Sequence, residues 1–154
     1  MLSKIGILSD THGLLRPEVV SAISDCEIII HAGDIGDPSI LEKLKKIAPV
    51  TAVKGNMDKG KWSETLPLND IIEVHGYSIN VLHEIEHLDL DPAAAKFDMV
   101  VFGHSHMAEL KKKDSVFYLN PGSAGPRRFN LPVTIAKVIL NSEGLLTEII
   151  RINV

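Results

Sequence analysis

Seven residues with side chains suited to holding metal ions stand just after strand-like runs of this chain. Asp10 and His12 come after Lys4–Leu8, and Asp34 after Ile28–Ala32. Asn56 follows Val50–Val53, His83 follows Ser78–Leu82, and His104 and His106 follow Met99–Phe102. Ligand sites in open α/β sheets form at the carboxyl ends of strands. A carboxylate placed there, such as Asp34, is costly unless a cation compensates it, although alone it reads equally well as a cap on the following turn. Taken together, two carboxylates, one amide and four imidazoles would share one edge of the fold. Such oxygen and nitrogen donors suit Mn, Fe, Co, Ni or Zn better than a Mg-only site. Seven ligands exceed the needs of one ion and suit two ions sharing a carboxylate.

Those strand ends need elements to position them. Ile28–Ala32 is continuous and rich in β-branched residues, the mark of a strand buried on both faces. Pro17–Ser24 reads as a short helix with proline in its first turn. Asp37-Pro38 supplies an N-cap and a first-turn proline for a helix to about Ile47, with Ile40, Leu41, Leu44 and Ile47 on one face. Strand, helix, strand, helix, strand implies parallel strands with right-handed crossovers. Beyond Asp70, Ile71–Val74 and Ser78–Leu82 form a hairpin about His75-Gly76-Tyr77, and Asp91-Pro92 opens a short helix to about Lys96. Met107–Lys112 pairs with Val116–Leu119, and Thr134–Leu140 with Leu145–Ile152. About ten strands and two or three helices predict two mixed sheets packed face to face with helices outside. No repeat or linker divides the chain, so residues 1–154 form one domain.

At 154 residues the chain matches one compact domain, and its 45% apolar and 23% charged content is that of a globular protein. No apolar stretch approaches the roughly 20 residues of a membrane span. Met1-Leu2-Ser3-Lys4 runs straight into a strand, so no signal peptide is expected. The single cysteine, Cys26, excludes an internal disulfide, reads as a core residue and fits a reducing, cytoplasmic setting. A net charge of −4 argues against stable nucleic-acid binding but not against a small phosphate ester. Lys111-Lys112-Lys113 reads as a solvated hairpin tip, and Trp62 as packing for its loop. A homo-oligomer is left open.

The blocks Ser9-Asp10-Thr11-His12, Gly33-Asp34, Gly55-Asn56-Met57-Asp58, His83 and Gly103-His104-Ser105-His106 resemble, in order, those of the calcineurin-like metallophosphoesterases. The resemblance spans nearly the whole chain. The short length, the Gly-Asn-x-Asp block, and Asn120-Pro121-Gly122-Ser123 ahead of Pro126-Arg127 are similar to the short prokaryotic phosphodiesterases of that superfamily. The resemblance implies a four-layer α-β-β-α sandwich and a cytoplasmic phosphodiesterase using two divalent ions, Mn foremost and Ni, Co, Fe or Zn as substitutes. Asp10, His12 and His106 would bind the first ion, Asn56, His83 and His104 the second, and Asp34 both. Two ions and two aspartates leave a charge that attracts a phosphate ester, and a hydroxide on the metals would attack phosphorus.

Asp34, Asn56 and His104 would thus act directly in catalysis. Asp58 stands where many relatives carry a catalytic His; a carboxylate beside two cations is a poor acid, so it is expected to orient a ligand. Arg127 is a candidate contact to the substrate phosphate, with Arg128 beside it. Glu84 replaces the Gly that usually follows the histidine matching His83, which changes the loop and adds negative charge at the rim. His87 is a substitute ligand of lower standing, His31 a core histidine or one that supports the ligands from behind, and His75 an exposed turn residue. A phosphomonoesterase using the same site, and an inert protein-binding scaffold like the retromer subunit of this fold, are the alternatives. The complete ligand set favours an enzyme.

Overall fold

Ten strands and two α-helices make up the computed structural model, which describes residues 3–154. Met1 and Leu2, on which part of the signal-peptide expectation rests, lie outside the described residues. One sheet joins β1 (Ser3–Leu8), β2 (Ile28–His31), β3 (Val50–Ala52), β9 (Thr134–Asn141) and β10 (Gly144–Arg151) in the order β10-β9-β1-β2-β3. The other joins β4 (Asn69–Val74), β5 (Tyr77–Leu82), β6 (Met99–Val101), β7 (Glu109–Lys113) and β8 (Val116–Asn120) in the order β4-β5-β6-β8-β7. Each sheet holds three parallel strands, β1-β2-β3 with antiparallel β9 beside β1, and β5-β6-β8 with antiparallel β4 and β7 on either side.

Alternation along the strands builds the core. Ile5 and Ile7 of β1, Ile30 of β2, Ile79 and Val81 of β5, and Met99 and Val101 of β6 pack between the sheets. Their chain neighbours Leu8 and Ile29 point the other way, onto Val19 and Ile23 of α1 (Pro17–Ile23) and Ile40 and Leu44 of α2 (Pro38–Lys45). This is why β2 reads as a continuous apolar run: it is covered on both faces. The Asp37 carboxylate caps α2 by accepting from Ser39 N at 2.8 Å. The helix ends two residues before Ile47, which packs from the next turn. Neither helix, nor any other among the described residues, is long and apolar enough to cross a membrane.

On the outer face of the second sheet, Leu82, Val100, Phe102 and Val116 are covered by Ile85, Leu88 and Ala93. This outer layer is a single 3-10 turn, Ile85–His87, followed by turns. The helix expected over Asp91–Lys96 stops after one turn. Ala95 N reaches Asp91 O, but Lys96 then takes a left-handed φ of 62°. The lysine run lies along the exposed edge strand β7 rather than at a hairpin tip, which is Asp114-Ser115. Lysines on an edge discourage pairing with another sheet.

Candidate metal centre

The carboxyl ends of all six parallel strands meet at one edge of the sandwich, and the loops leaving them are laced together. Asp10 N donates to Gly33 O, His12 N to Asp34 O, Gly13 N to Ile35 O, and Gly103 N to His83 O, at 2.8–3.0 Å. The chain turns sharply here: Asp10, His12, Asp34, His104 and His106 all have φ between 46° and 74°. Left-handed backbone at five of the seven expected ligands is strain concentrated where side chains must converge.

The side chains do converge. Asp10 Oδ1 lies 3.4 Å from His106 Nε2, 3.7 Å from His12 Nε2 and 3.9 Å from His83 Nε2. Asp34 Oδ2 lies 3.2 Å from His83 Nε2 and 3.7 Å from His12 Nε2. Asn56 Oδ1 stands 3.0 Å from His83 Nε2 and 3.2 Å from His104 Nδ1. His12 and His106 face each other through Nε2 atoms 3.4 Å apart. Asp10, His12 and His106 form one group, and Asp10, Asp34 and His83 another, with each group's donor atoms within 4.8 Å.

Donor chemistry makes these groups fit cations. Asp10 Oδ1 is fully buried and, among the described residues, has no hydrogen-bond partner. The other oxygen, Oδ2, accepts from Ser9 Oγ at 2.7 Å and His104 N at 3.2 Å, which fixes where Oδ1 points. His83 Nδ1 sits 2.7 Å from the Ala32 carbonyl, which can only accept, so Nδ1 carries the proton. In the neutral ring, Nε2 then aims a lone pair at Asp34 and Asn56 oxygens, and only a positive charge relieves that arrangement.

Without metals the imidazoles take over part of that role. Burial works to raise the Asp10 carboxyl, but His106, His12 and the Ser9 hydroxyl hold it well below the usual carboxylate range. Burial likewise opposes ionisation of Asp34, and His83 together with the Met57 amide overcomes it. His83 is the counterpart: burial lowers its pKa, and Asp34 and Asp10 more than offset that and raise it.

Asp58 is buried, yet its carboxylate touches none of the expected ligands' side chains. Its Oδ1 accepts from Gly36 N and its Oδ2 from Gly55 N, each at 2.9 Å. It pins the loops that carry Asp34 and Asn56 through their backbones. Whatever orienting Asp58 does therefore runs through the backbone of these loops. Arg127 and Arg128 are exposed and touch nothing in the cluster among the described contacts. Their loop nevertheless starts at the site, since Ala124 N donates to Ser9 O and Ser123 Oγ to Asp10 O. Trp62 packs with Leu66 against the helix-side core, so it serves its loop. His87 and His75 stand apart from the cluster, beside Glu84 and Glu27.

Three contributors go beyond the seven expected ligands. His31 is fully buried, with Nδ1 accepting from Gly33 N at 3.1 Å and Nε2 3.0 Å from Thr11 Oγ1. Thr11 Oγ1 passes the chain of bonds to Ile35 O at 2.8 Å, so this imidazole ties the Asp10–His12 loop to the Gly33–Ile35 loop. Asn120, at the end of the sixth parallel strand, donates from Nδ2 to Gly103 O at 3.1 Å and Ser105 Oγ at 3.0 Å, holding the His104–His106 loop. Its signal was the one that marked the ligands, a polar residue closing a strand. Glu84 Oε1 stands 3.5 Å from His104 Nε2.

Comparison with known proteins agrees with this geometry. Residues 3–143 match the model of the calcineurin-like phosphoesterase superfamily domain. A probable metallophosphoesterase of Methanothermobacter thermautotrophicus is 34% identical over 96% of this chain and 91% of its own length. A phosphodiesterase of Methanocaldococcus jannaschii is 30% identical over 77% of this chain and 82% of its own. Among solved structures, Vps29 of Chaetomium thermophilum superposes with a TM-score of 0.78 over 97% of this chain and 98% of that one, at 17% identity, a likeness of fold.

Proposed function

The chain belongs to the calcineurin-like phosphoesterase superfamily and is a metal-dependent phosphoesterase, and from that premise we propose that it hydrolyses phosphodiesters with two divalent ions. The observation that carries the proposal is the buried, unpartnered Asp10 Oδ1 facing three imidazole nitrogens. Asp10, His12 and His106 would hold one ion, and Asn56, His83 and His104 the other. Asp34, whose Oδ2 lies near both His12 and His83, would bridge them. When bound, two such ions supply positive charge to the ester phosphate and acidify water toward neutrality. The nitrogen and oxygen donor set suits Mn, with Fe, Co, Ni and Zn as substitutes.

The chain's own residues set the stage for that chemistry. The Ala32 carbonyl fixes the His83 tautomer, so Nε2 faces the cluster. The Met57 amide, 2.9 Å from Asp34 Oδ1, turns Oδ2 inward. Ser9 and the His104 amide hold Asp10 in place. The Ser9 hydroxyl is engaged with Asp10 Oδ2 and the Thr11 hydroxyl with Ile35 O, which suits attack by water. Arg127 remains a candidate for the phosphate, carried on a loop rooted at Ser9 and Asp10. A phosphomonoesterase would use the same residues, and the likeness of fold to Vps29 keeps a non-catalytic scaffold as the second reading.

One experiment separates these readings. Protein purified with Mn²⁺ should contain close to two ions per chain and hydrolyse chromogenic diesters faster than monoesters. Activity should rise toward alkaline pH and vanish in EDTA. Absence of metal after reconstitution, or turnover that resists EDTA, would overturn the proposal.

A further inference from the structure

A cleft of about 510 Å³ opens beside the cluster, and Asn56 and His83 line both. A group attached to a phosphate held at the cluster therefore has this cleft within reach. Its volume falls in the range of small-molecule sites. Leu68 and Leu90 stand in its wall, 72% and 37% exposed. Large apolar side chains left in a concave, solvent-open surface gain free energy when a ligand covers them. Beyond the metal cluster, the wall carries Lys54 as its ammonium, Glu84 and Asp89 as its carboxylates, and the His87 imidazole, so carboxylates outnumber ammonium groups.

Resting on the phosphodiesterase reading, we infer that this cleft receives one alcohol of the ester and selects neutral, apolar alcohols over anionic ones. The leucines reward apolar surface. The excess of carboxylate over ammonium penalises a second negative charge, so discrimination has both an attractive and a repulsive part. The substrate class is a phosphodiester with a single phosphate and at least one neutral, apolar alcohol.

Phosphonates test this without turnover, because each carries one substituent and its C–P bond resists hydrolysis. Binding of methylphosphonate, phenylphosphonate and 3-phosphonopropionate to Mn²⁺-loaded protein is measured by calorimetry. Phenylphosphonate should bind about tenfold or more tighter than methylphosphonate, the scale of added apolar contact in a pocket, and 3-phosphonopropionate should bind weakest. Leu68→Ser combined with Leu90→Ser should erase most of the phenyl preference and leave methylphosphonate binding unchanged. Equal binding of all three, or a phenyl preference that survives the double substitution, would overturn the cleft assignment alone. Failure of every phosphonate to bind would overturn the metal-centre reading and the inference with it.

Discussion

Glu84 Oε1 stands 3.5 Å from His104 Nε2, while the other ring nitrogen, Nδ1, faces Asn56 Oδ1 at 3.2 Å. A carboxylate behind a ligating imidazole fixes the ring and raises its basicity, and losing such a partner typically weakens metal binding about 10–100-fold. The residue that departs from the family's glycine thus has a place in the site. Glu84→Ala should weaken one of the two ions by about that factor and leave the other unchanged, with Glu84→Gln between. Stepwise Mn²⁺ titration by calorimetry reads both affinities. Unchanged affinity for both ions would reduce Glu84 to a rim charge.

Asp34 and Asp58 lie 24 residues apart in sequence and differ sharply in surroundings. Asp34 Oδ2 faces imidazole nitrogens at 3.2 and 3.7 Å, whereas both oxygens of Asp58 accept backbone amides. An amide at position 34 turns a charged, two-oxygen ligand into one good acceptor and an NH₂ that repels cations. Asp34→Asn should lose most bound metal and nearly all turnover. Asp58→Asn leaves a buried N–H facing another donor, a cost of about 1–3 kcal/mol, and should show as lower thermal stability with two ions still bound. Metal content and melting temperature, measured on both variants, check the ranking. Near-normal activity and two ions in Asp34→Asn would remove it as the bridge.

Much of this site was legible in the chain because its ligands sit where parallel strands end. Period-two and continuous apolar runs located β1, β2, β3, β5 and β6, and a polar residue closing each run marked the edge. Asp58 was harder. Its position in the Gly55–Asp58 block suggested a role in orienting a ligand, but its hydrogen bonds to Gly36 and Gly55 N depend on how two loops meet in space. The same holds for His31, whose link to Thr11 joins loops that sequence leaves 20 residues apart. Asp91–Lys96 misled through a cap signal: Asp91 Oδ1 does accept from Ala93 N at 3.1 Å, but no apolar stripe follows to extend the turn.

Gly103 is a place where a single methyl should undo the centre. A Cβ there would collide with Ser9 Oγ and meet Asp10 Oδ2 at 2.8 Å, the two groups that orient the buried carboxylate. Gly103→Ala should displace Asp10, and a shift of about 1 Å in such a site costs on the order of a hundredfold in rate. Wild-type kinetics in this variant would show that Asp10 tolerates movement. Gly103 does not take a left-handed φ, so the clash and not backbone strain is what the added methyl brings.

His31 gives the metal-free protein a defined pH dependence. Burial pushes its pKa down to about 4 from the ordinary 6.5, and the partly compensating charges of Asp10 and Asp58 do not restore it. The folded protein keeps the ring neutral because Nδ1 must accept from Gly33 N and Nε2–H must reach Thr11. Between about pH 6.5 and 4 the unfolded chain therefore binds a proton that the folded chain does not, and stability falls as pH falls. At 1.36 kcal/mol per unit the full window amounts to about 3 kcal/mol. His83 acts with the opposite sign: its raised pKa adds stability below pH 6.5 that is lost as pH rises beyond it. The depressed carboxyls of Asp10 and Asp34 add stability that is lost as pH falls into the acid range near 4. The His31 contribution is therefore read best between pH 5 and 6.5, in EDTA, from urea midpoints. Wild type should weaken steadily as pH drops across that interval, and His31→Gln, which cannot titrate, should flatten the slope whatever its absolute stability. Parallel slopes in the two proteins would mean that the ring bridging Gly33 and Thr11 is not the group that titrates.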